Sequence, residues 1–94
     1  MRNLGADSMP DFSRFYKLKE LNLSGNKFTR LSKKSLPKAT LKRLDLSGNP
    51  WEKIKFKKSD SLETLWMNDT RVSKIPGSVK KLKALQVLQI ENNE

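Results

Sequence analysis

The 94-residue chain contains no cysteine and no histidine. Without cysteine there are no disulfides, no thiolate nucleophile and no cysteine-based metal site. Without histidine the commonest general base is also missing, and with it the usual nucleophile–base pairs. The 10 acidic residues are scattered, and no spacing sets two of them up as an acid/base couple or as a calcium loop. Ser24-Gly25-Asn26-Lys27 holds a glycine and a lysine but not the spacing of a phosphate-cradling loop. No apolar run comes near the ~20 residues a membrane-spanning helix needs. Residues 1–10 carry no apolar stretch of the secretory kind. The expectation is a chain that is not an enzyme and uses no cofactor or metal. It is also expected not to be transmembrane, and to be cytoplasmic if Met1 is the native start.

Apolar residues are few as well, at 35% of the chain against 32% charged. Such a mixture borders on disorder unless the apolar residues follow a strict pattern. Charge of one sign dominates: 20 Lys and Arg against 10 Asp and Glu give +10. A balance this basic favours anionic partners such as nucleic acid, anionic lipid or an acidic protein surface.

The pattern is there. Leu18-Lys-Glu-Leu21-Asn-Leu23-Ser-Gly-Asn26-Lys-Phe28 returns as Leu41-Lys-Arg-Leu44-Asp-Leu46-Ser-Gly-Asn49-Pro-Trp51. It returns again as Leu62-Glu-Thr-Leu65-Trp-Met67-Asn-Asp-Thr70-Arg-Val72, and in part as Leu85-Gln-Val-Leu88-Gln-Ile90-Glu-Asn-Asn93. The steps are 23, 21 and 23 residues. With Leu31, Ile54 and Ile75 as the fifth apolar residue of each unit, the register calls for 18 apolar positions, and all are apolar. Chance agreement would be on the order of one in a hundred million.

This L-x-x-L-x-L-x-x-N-x-L pattern resembles the leucine-rich repeat family, intracellular type, over nearly the whole chain. The resemblance implies an α/β solenoid: a short curved parallel sheet with an irregular or short helical outer face. It also implies recognition, scaffold or adaptor work. The domain reading is a single unit, 1–94: the back half of a preceding repeat at 1–17, repeats at 18–40, 41–61 and 62–84, and a partial repeat at 85–94.

Local patterning agrees. Leu21 and Leu23 alternate with Glu20, Asn22 and Ser24, the period of a half-buried strand, and equivalent strands are predicted at about 42–48, 63–69 and 86–91. Asn26, Asn49 and Asn93 fall where the chain must turn, and their amides can satisfy backbone groups of neighbouring units. Thr70 breaks that series with a hydroxyl able to do part of the work. Trp51 shares the inward position of Phe28 and Val72. In the back halves, Ile75-Pro76 through Leu85 reads as a short helical turn, and Leu31–Thr40 fits it less neatly. Ile54-Lys-Phe56 looks extended, and the stretch from Lys53 to Ser61 is expected to be the least regular. Phe12-x-x-Phe15-x-x-Leu18 matches Val79-x-x-Leu82-x-x-Leu85 in spacing.

Neither end shows the polar cap that repeat stacks normally carry. The expectation is a segment of a longer array or a protein that self-associates through open strand edges. Asn22-Leu-Ser24 and Asn68-Asp-Thr70 are formal glycosylation sequons. Chance among seven asparagines explains both.

The register turns alternate strand residues away from the core: Glu20, Asn22 and Ser24; Arg43, Asp45 and Ser47; Thr64, Trp66 and Asn68; Val87, Gln89 and Glu91. Nine of these form the candidate binding set. They are Glu20 and Asn22, Arg43 and Asp45, Thr64, Trp66 and Asn68, and Gln89 and Glu91. Trp66 is the expected anchor, since tryptophan amid polar groups is a common interface residue. The alternative is a tryptophan resting on Arg43 and Asp45 as a surface patch.

Charge divides by face. Segments 19–25, 42–48, 63–69 and 86–92 hold three basic and five acidic residues, a net −2, which leaves +12 elsewhere. The surplus sits on loops and outer face at Lys33, Lys34, Lys38, Lys53, Lys55, Lys57, Lys58, Lys80, Lys81 and Lys83. Nucleic-acid grooves combine basic and aromatic residues on one surface, and here Trp66 and the lysines part company. A protein or peptide on the concave face is therefore the first expectation. Docking of the basic outer face on anionic membrane or nucleic acid is the second, and a purely structural segment the third.

Overall fold

The computed structural model describes residues 10–37, 40–70 and 77–91. The expectations on Val72, Ile75-Pro76, Asn93, Lys38 and residues 1–9 lie outside these. In chain order the strands are β1 Glu20–Asn22, β2 Arg30–Leu31, β3 Arg43–Asp45, β4 Lys53–Ile54, β5 Thr64–Trp66 and β6 Val87–Gln89, with a 3₁₀ turn at Gly77–Lys81 between the last two.

Strands β1, β3, β5 and β6 lie side by side in that order, all parallel. The register is that of the repeat: Leu21 pairs with Leu44, Leu44 with Leu65, and Leu65 with Leu88. Each strand is only three residues long, shorter than the seven expected from the pattern. The hydrogen bonds nonetheless run the full expected width. Lys19 O accepts from both Lys42 N and Arg43 N, at 2.8 and 3.0 Å, where the chain enters the strand. Lys42 O and Glu63 O do the same one and two units later. Past the strands, Leu23 N donates to Asp45 O at 2.9 Å and Gly25 N to Ser47 O at 3.0 Å, and later units repeat both bonds. The pleat is lost before the hydrogen bonding is, because the chain turns at residues in the left-handed region: Gly25 at φ 71°, Gly48 at φ 68° and Asp69 at φ 55°.

The carboxamide of Asn49 holds one unit to the one before it. Its Nδ2 donates to Leu46 O and Ser47 O in its own unit and to Leu23 O, at 2.8 Å, in the preceding one. Its Oδ1 accepts from Asn26 N and Phe28 N at 3.1 and 3.2 Å. Buried backbone groups must find partners, and one planar amide offers both donors and an acceptor. Thr70, fully buried, donates through Oγ1 to Met67 O at 3.1 Å. That is the counterpart of the Asn49 bond to Leu46 O, made with one hydrogen rather than two.

The core runs between the four-stranded sheet and the outer segments. The register residues from Leu21 to Met67 are buried, Trp51 among them, and Phe56 and Leu82 join them. The Trp51 ring lies 5.9 Å from that of Phe28, and its Nε1 donates to Leu46 O at 2.7 Å. An indole can therefore be buried here without an orphaned N–H.

The outer face differs from expectation in one respect. Lys53 to Ser61, expected to be its least regular part, opens with a strand: β4 pairs in parallel with β2, Arg30 against Lys53 and Leu31 against Ile54. Both segments put an apolar residue into the core beside an exposed basic one, so the extended backbone supplies the hydrogen bonds that no helix provides. In the third back half Gly77–Lys81 forms a short helical turn of the 3₁₀ kind, in line with the expectation. Leu82 N donates to Val79 O and Leu85 N to Leu82 O, and Phe15 N to Phe12 O and Leu18 N to Phe15 O reproduce that geometry. The matched spacings thus take matched conformations. Burial does not follow: Leu82 is 6% exposed and Phe15 54%, its ring packing on Phe12. Asp11 opens this turn by accepting from Ser13 N at 2.9 Å. Hydrogen bonds from Ser13 hold its carboxyl below the usual value.

Candidate functional site: the concave strand face

Successive strand residues face opposite ways, so the parallel register stacks the outward ones into columns. One column is Glu20, Arg43, Thr64 and Val87; the next is Asn22, Asp45, Trp66 and Gln89. Together with Leu21 they line an open hollow of about 700 Å³ across all four strands. Of the nine candidate residues, Glu20, Asn22, Arg43, Asp45, Thr64, Trp66 and Gln89 lie around this hollow. Asn68 and Glu91 do not line it; they stand one position further along, in the column of Ser24 and Ser47.

Trp66 faces away from the core as its register requires, but it is half-buried rather than fully exposed. Val87, in the neighbouring column of the adjoining strand, is 43% exposed and was left out of the candidate set. It shares the hollow with Trp66, so the apolar part of this surface has two members. The repeat already placed it on this face, but the candidate set held only Trp66 and polar residues.

Two ion pairs join neighbouring repeats, one of them on the strand face. Arg43 Nη1 meets Glu20 Oε1, and Lys42 Nζ meets Glu63 Oε2 at 3.6 Å. All four side chains are well exposed, so each pair stabilises the fold by at most about 1 kcal/mol. They leave few uncompensated charges beside the hollow.

The polar residues divide by their ties to the backbone. Asn22 Oδ1 accepts from Ser24 N at 3.0 Å and from Ser24 Oγ at 2.6 Å, and Asp45 Oδ1 accepts from Ser47 N at 2.9 Å. These are Asx turns, in which a side chain closes the bend two residues ahead. The third unit has Trp66 where that acceptor should be. Asn68 N donates instead to Ser47 Oγ of the preceding unit, at 3.0 Å. The fourth unit has Gln89 there, and Glu91 N donates to Asn68 Oδ1 at 2.9 Å. The turn-closing acceptor has moved from one column to the next.

Comparison with known families gives one match: residues 16–58 fit the model for Leucine Rich repeats (2 copies). The fold of these residues is consistent with it: β1 and β3 pair in parallel, with Asn26 and Asn49 at the turns. Residues 16–58 are leucine-rich repeats. The two matched repeats contain β1 to β4 and the Asn26–Asn49 bonds, and the same register carries on into β5 and β6. No curated protein and no solved structure matches the chain. Leucine-rich repeats generally mediate protein–protein interaction. Among the described residues, no helix is long and apolar enough to cross a membrane.

Proposed function

We propose that this chain is a protein-interaction module that holds a peptide or protein segment on its concave strand face. Trp66 serves as apolar anchor, and Arg43, Asp45, Asn22, Thr64, Glu20 and Gln89 supply polar contacts around it. Asn68 and Glu91 fix the edge against which the segment lies. The observation that carries this reading is the position of Trp66. It replaces a turn-closing side chain, its bond is supplied from another column, and it lies half-buried in a hollow the fold has no need to fill. Large aromatic residues set among polar ones dominate binding energy at interfaces.

The platform limits the partner. Four strands about 4.8 Å apart span some 15–20 Å, enough for an extended segment or one helix. The mixed charge of the face favours a partner that is itself polar with an apolar contact at its centre. Recognition without catalysis fits a chain lacking histidine and cysteine.

The test is capture from a nuclease-treated lysate by wild type, Trp66→Ala and an outer-face Lys57→Gln/Lys58→Gln variant. Identified partners are then re-measured as purified proteins. A partner held by wild type and the lysine variant but weakened roughly tenfold or more by Trp66→Ala supports the reading. Partners bound equally by the Trp66→Ala protein would remove the concave hollow from the site.

A further inference from the structure

Three successive repeats each carry a pair of lysines on the outer surface: Lys33-Lys34, Lys57-Lys58 and Lys80-Lys81. With Lys83 they line a single open hollow of about 630 Å³. Every one of the seven is exposed. Among the described residues, no acidic, aromatic or apolar one lines the hollow. Among the described residues, neither ion pair involves these lysines. Excess charge on this chain could have been spread over its surface. Here it is concentrated, and like charges at close range weaken a compact state.

We propose that this hollow binds a compact, multiply phosphorylated solute. Three features support that choice. The volume lies in the range of small-molecule sites, about 300–1,000 Å³. A phosphate group carries about −1.5 to −2 near neutral pH, so roughly four phosphates balance the seven lysines. Lysine is a flexible point charge with three rotatable donors, suited to phosphates whose arrangement is not fixed in one plane.

The same features disfavour two other anionic surfaces. A single nucleic-acid strand is held by aromatic stacking as well as charge, and no ring among the described residues lines the hollow. A bilayer is engaged most firmly when apolar residues enter it beside the basic ones, and none among the described residues lines the hollow. This site does not involve Trp66, so it stands or falls independently of the concave-face reading.

The probe is sodium tripolyphosphate, compared with orthophosphate at an ionic strength fixed near ~150 mM. Binding is measured by titration calorimetry and by the shift in thermal midpoint. The variants are Lys57→Gln/Lys58→Gln/Lys81→Gln and, with the same loss of charge elsewhere, Lys17→Gln/Lys19→Gln/Lys27→Gln. Tripolyphosphate is expected to bind wild type at least about tenfold more tightly than orthophosphate. The first variant is expected to lose roughly tenfold or more in affinity while the second stays within about twofold. Lysine acetylation footprinting of wild type needs no variant, and tripolyphosphate is expected to protect Lys57, Lys58 and Lys81 ahead of Lys17, Lys19 and Lys27. Equal losses in the two variants, or uniform protection, would show a response to net charge and overturn the proposal. So would binding to phosphatidylserine vesicles or an oligothymidine strand without binding to tripolyphosphate, which would assign the lysines to a membrane or to nucleic acid.

Discussion

Replacing Asn49 by alanine tests how the repeats are held together. Asn49 is 1% exposed and touches both its own unit and the preceding one. In the Asn49→Ala protein, Phe28 N loses its acceptor inside the core, which costs about 1–3 kcal/mol. Asn26 N loses an acceptor as well. The carbonyls suffer less, because each keeps a donor: Leu23 O from Asn26 Nδ2, Leu46 O from Trp51 Nε1 and Ser47 O from Gly25 N. Their share is a fraction of the ~1 kcal/mol that an ordinary hydrogen bond contributes. The total is about 3 kcal/mol, from a stability of about 5–14 kcal/mol for a chain this size. Urea unfolding followed by tryptophan fluorescence would show the midpoint fall by roughly 1–3 M with an unchanged slope. Asn49→Thr recovers about 1 kcal/mol of this, since a hydroxyl there can reach Leu46 O as Thr70 Oγ1 reaches Met67 O. A cost below about 1 kcal/mol for alanine, or equal costs for alanine and threonine, would refute the account of Asn49 as the tie between units.

Other substitutions probe single features. Asp69 stands at φ 55° in the position that Gly25 and Gly48 occupy in their units, so Asp69→Gly is expected to raise stability by about 0.5–1 kcal/mol, and a loss would mean the aspartate side chain contributes more than its backbone costs. Trp51→Phe removes the bond to Leu46 O and is expected to cost about 1–2 kcal/mol in urea unfolding. The same protein has Trp66 as its one remaining tryptophan. Acrylamide should quench that residue less than free tryptophan and more than a buried one; full quenching would deny its half-buried place. Glu20→Gln breaks the exposed pair with Arg43 and should change stability by less than about 1 kcal/mol.

Much of the fold was legible in the residues because the repeat states each position several times. One unit with leucines at 18, 21 and 23 is an ordinary amphipathic stretch. The same spacing at 41, 62 and 85 fixes register, parallel direction and burial together. Trp51 was assignable to the core for that reason. What could not be read lay where the units differ. The β2–β4 pair escaped notice because the two segments share only an exposed basic residue followed by a buried aliphatic one, too short a match to signal a strand. Phe15 shows that spacing predicts conformation better than burial: its turn matches that of Leu82, and its exposure does not. The candidate site was legible as a face rather than as a set of contacts. The alternation that turned Trp66 outward also turned Val87 outward, but which residues surround one hollow depends on packing between strands.

The transfer of the turn-closing bond links the framework to the binding face. A side chain that closes a turn has its orientation and one acceptor committed to the backbone, as Asn22 and Asp45 have. Replacing such a residue alone would leave a backbone N–H to find another partner, which limits what that column can hold. In the third and fourth units the bond comes from Ser47 and Asn68 in the neighbouring column. That frees the positions of Trp66 and Gln89 from any duty to the turn. The relation can be tested from the framework side. In a Ser47→Ala protein, Asn68 N loses its acceptor and the turn after Trp66 loosens, costing about 1–2 kcal/mol. The double variant Ser47→Ala/Trp66→Asn restores an acceptor in the column where Asn22 and Asp45 provide one, and should recover most of that loss in urea unfolding. Failure to recover would mean that the two columns are not interchangeable and that the tryptophan is held in place by something other than release from the turn.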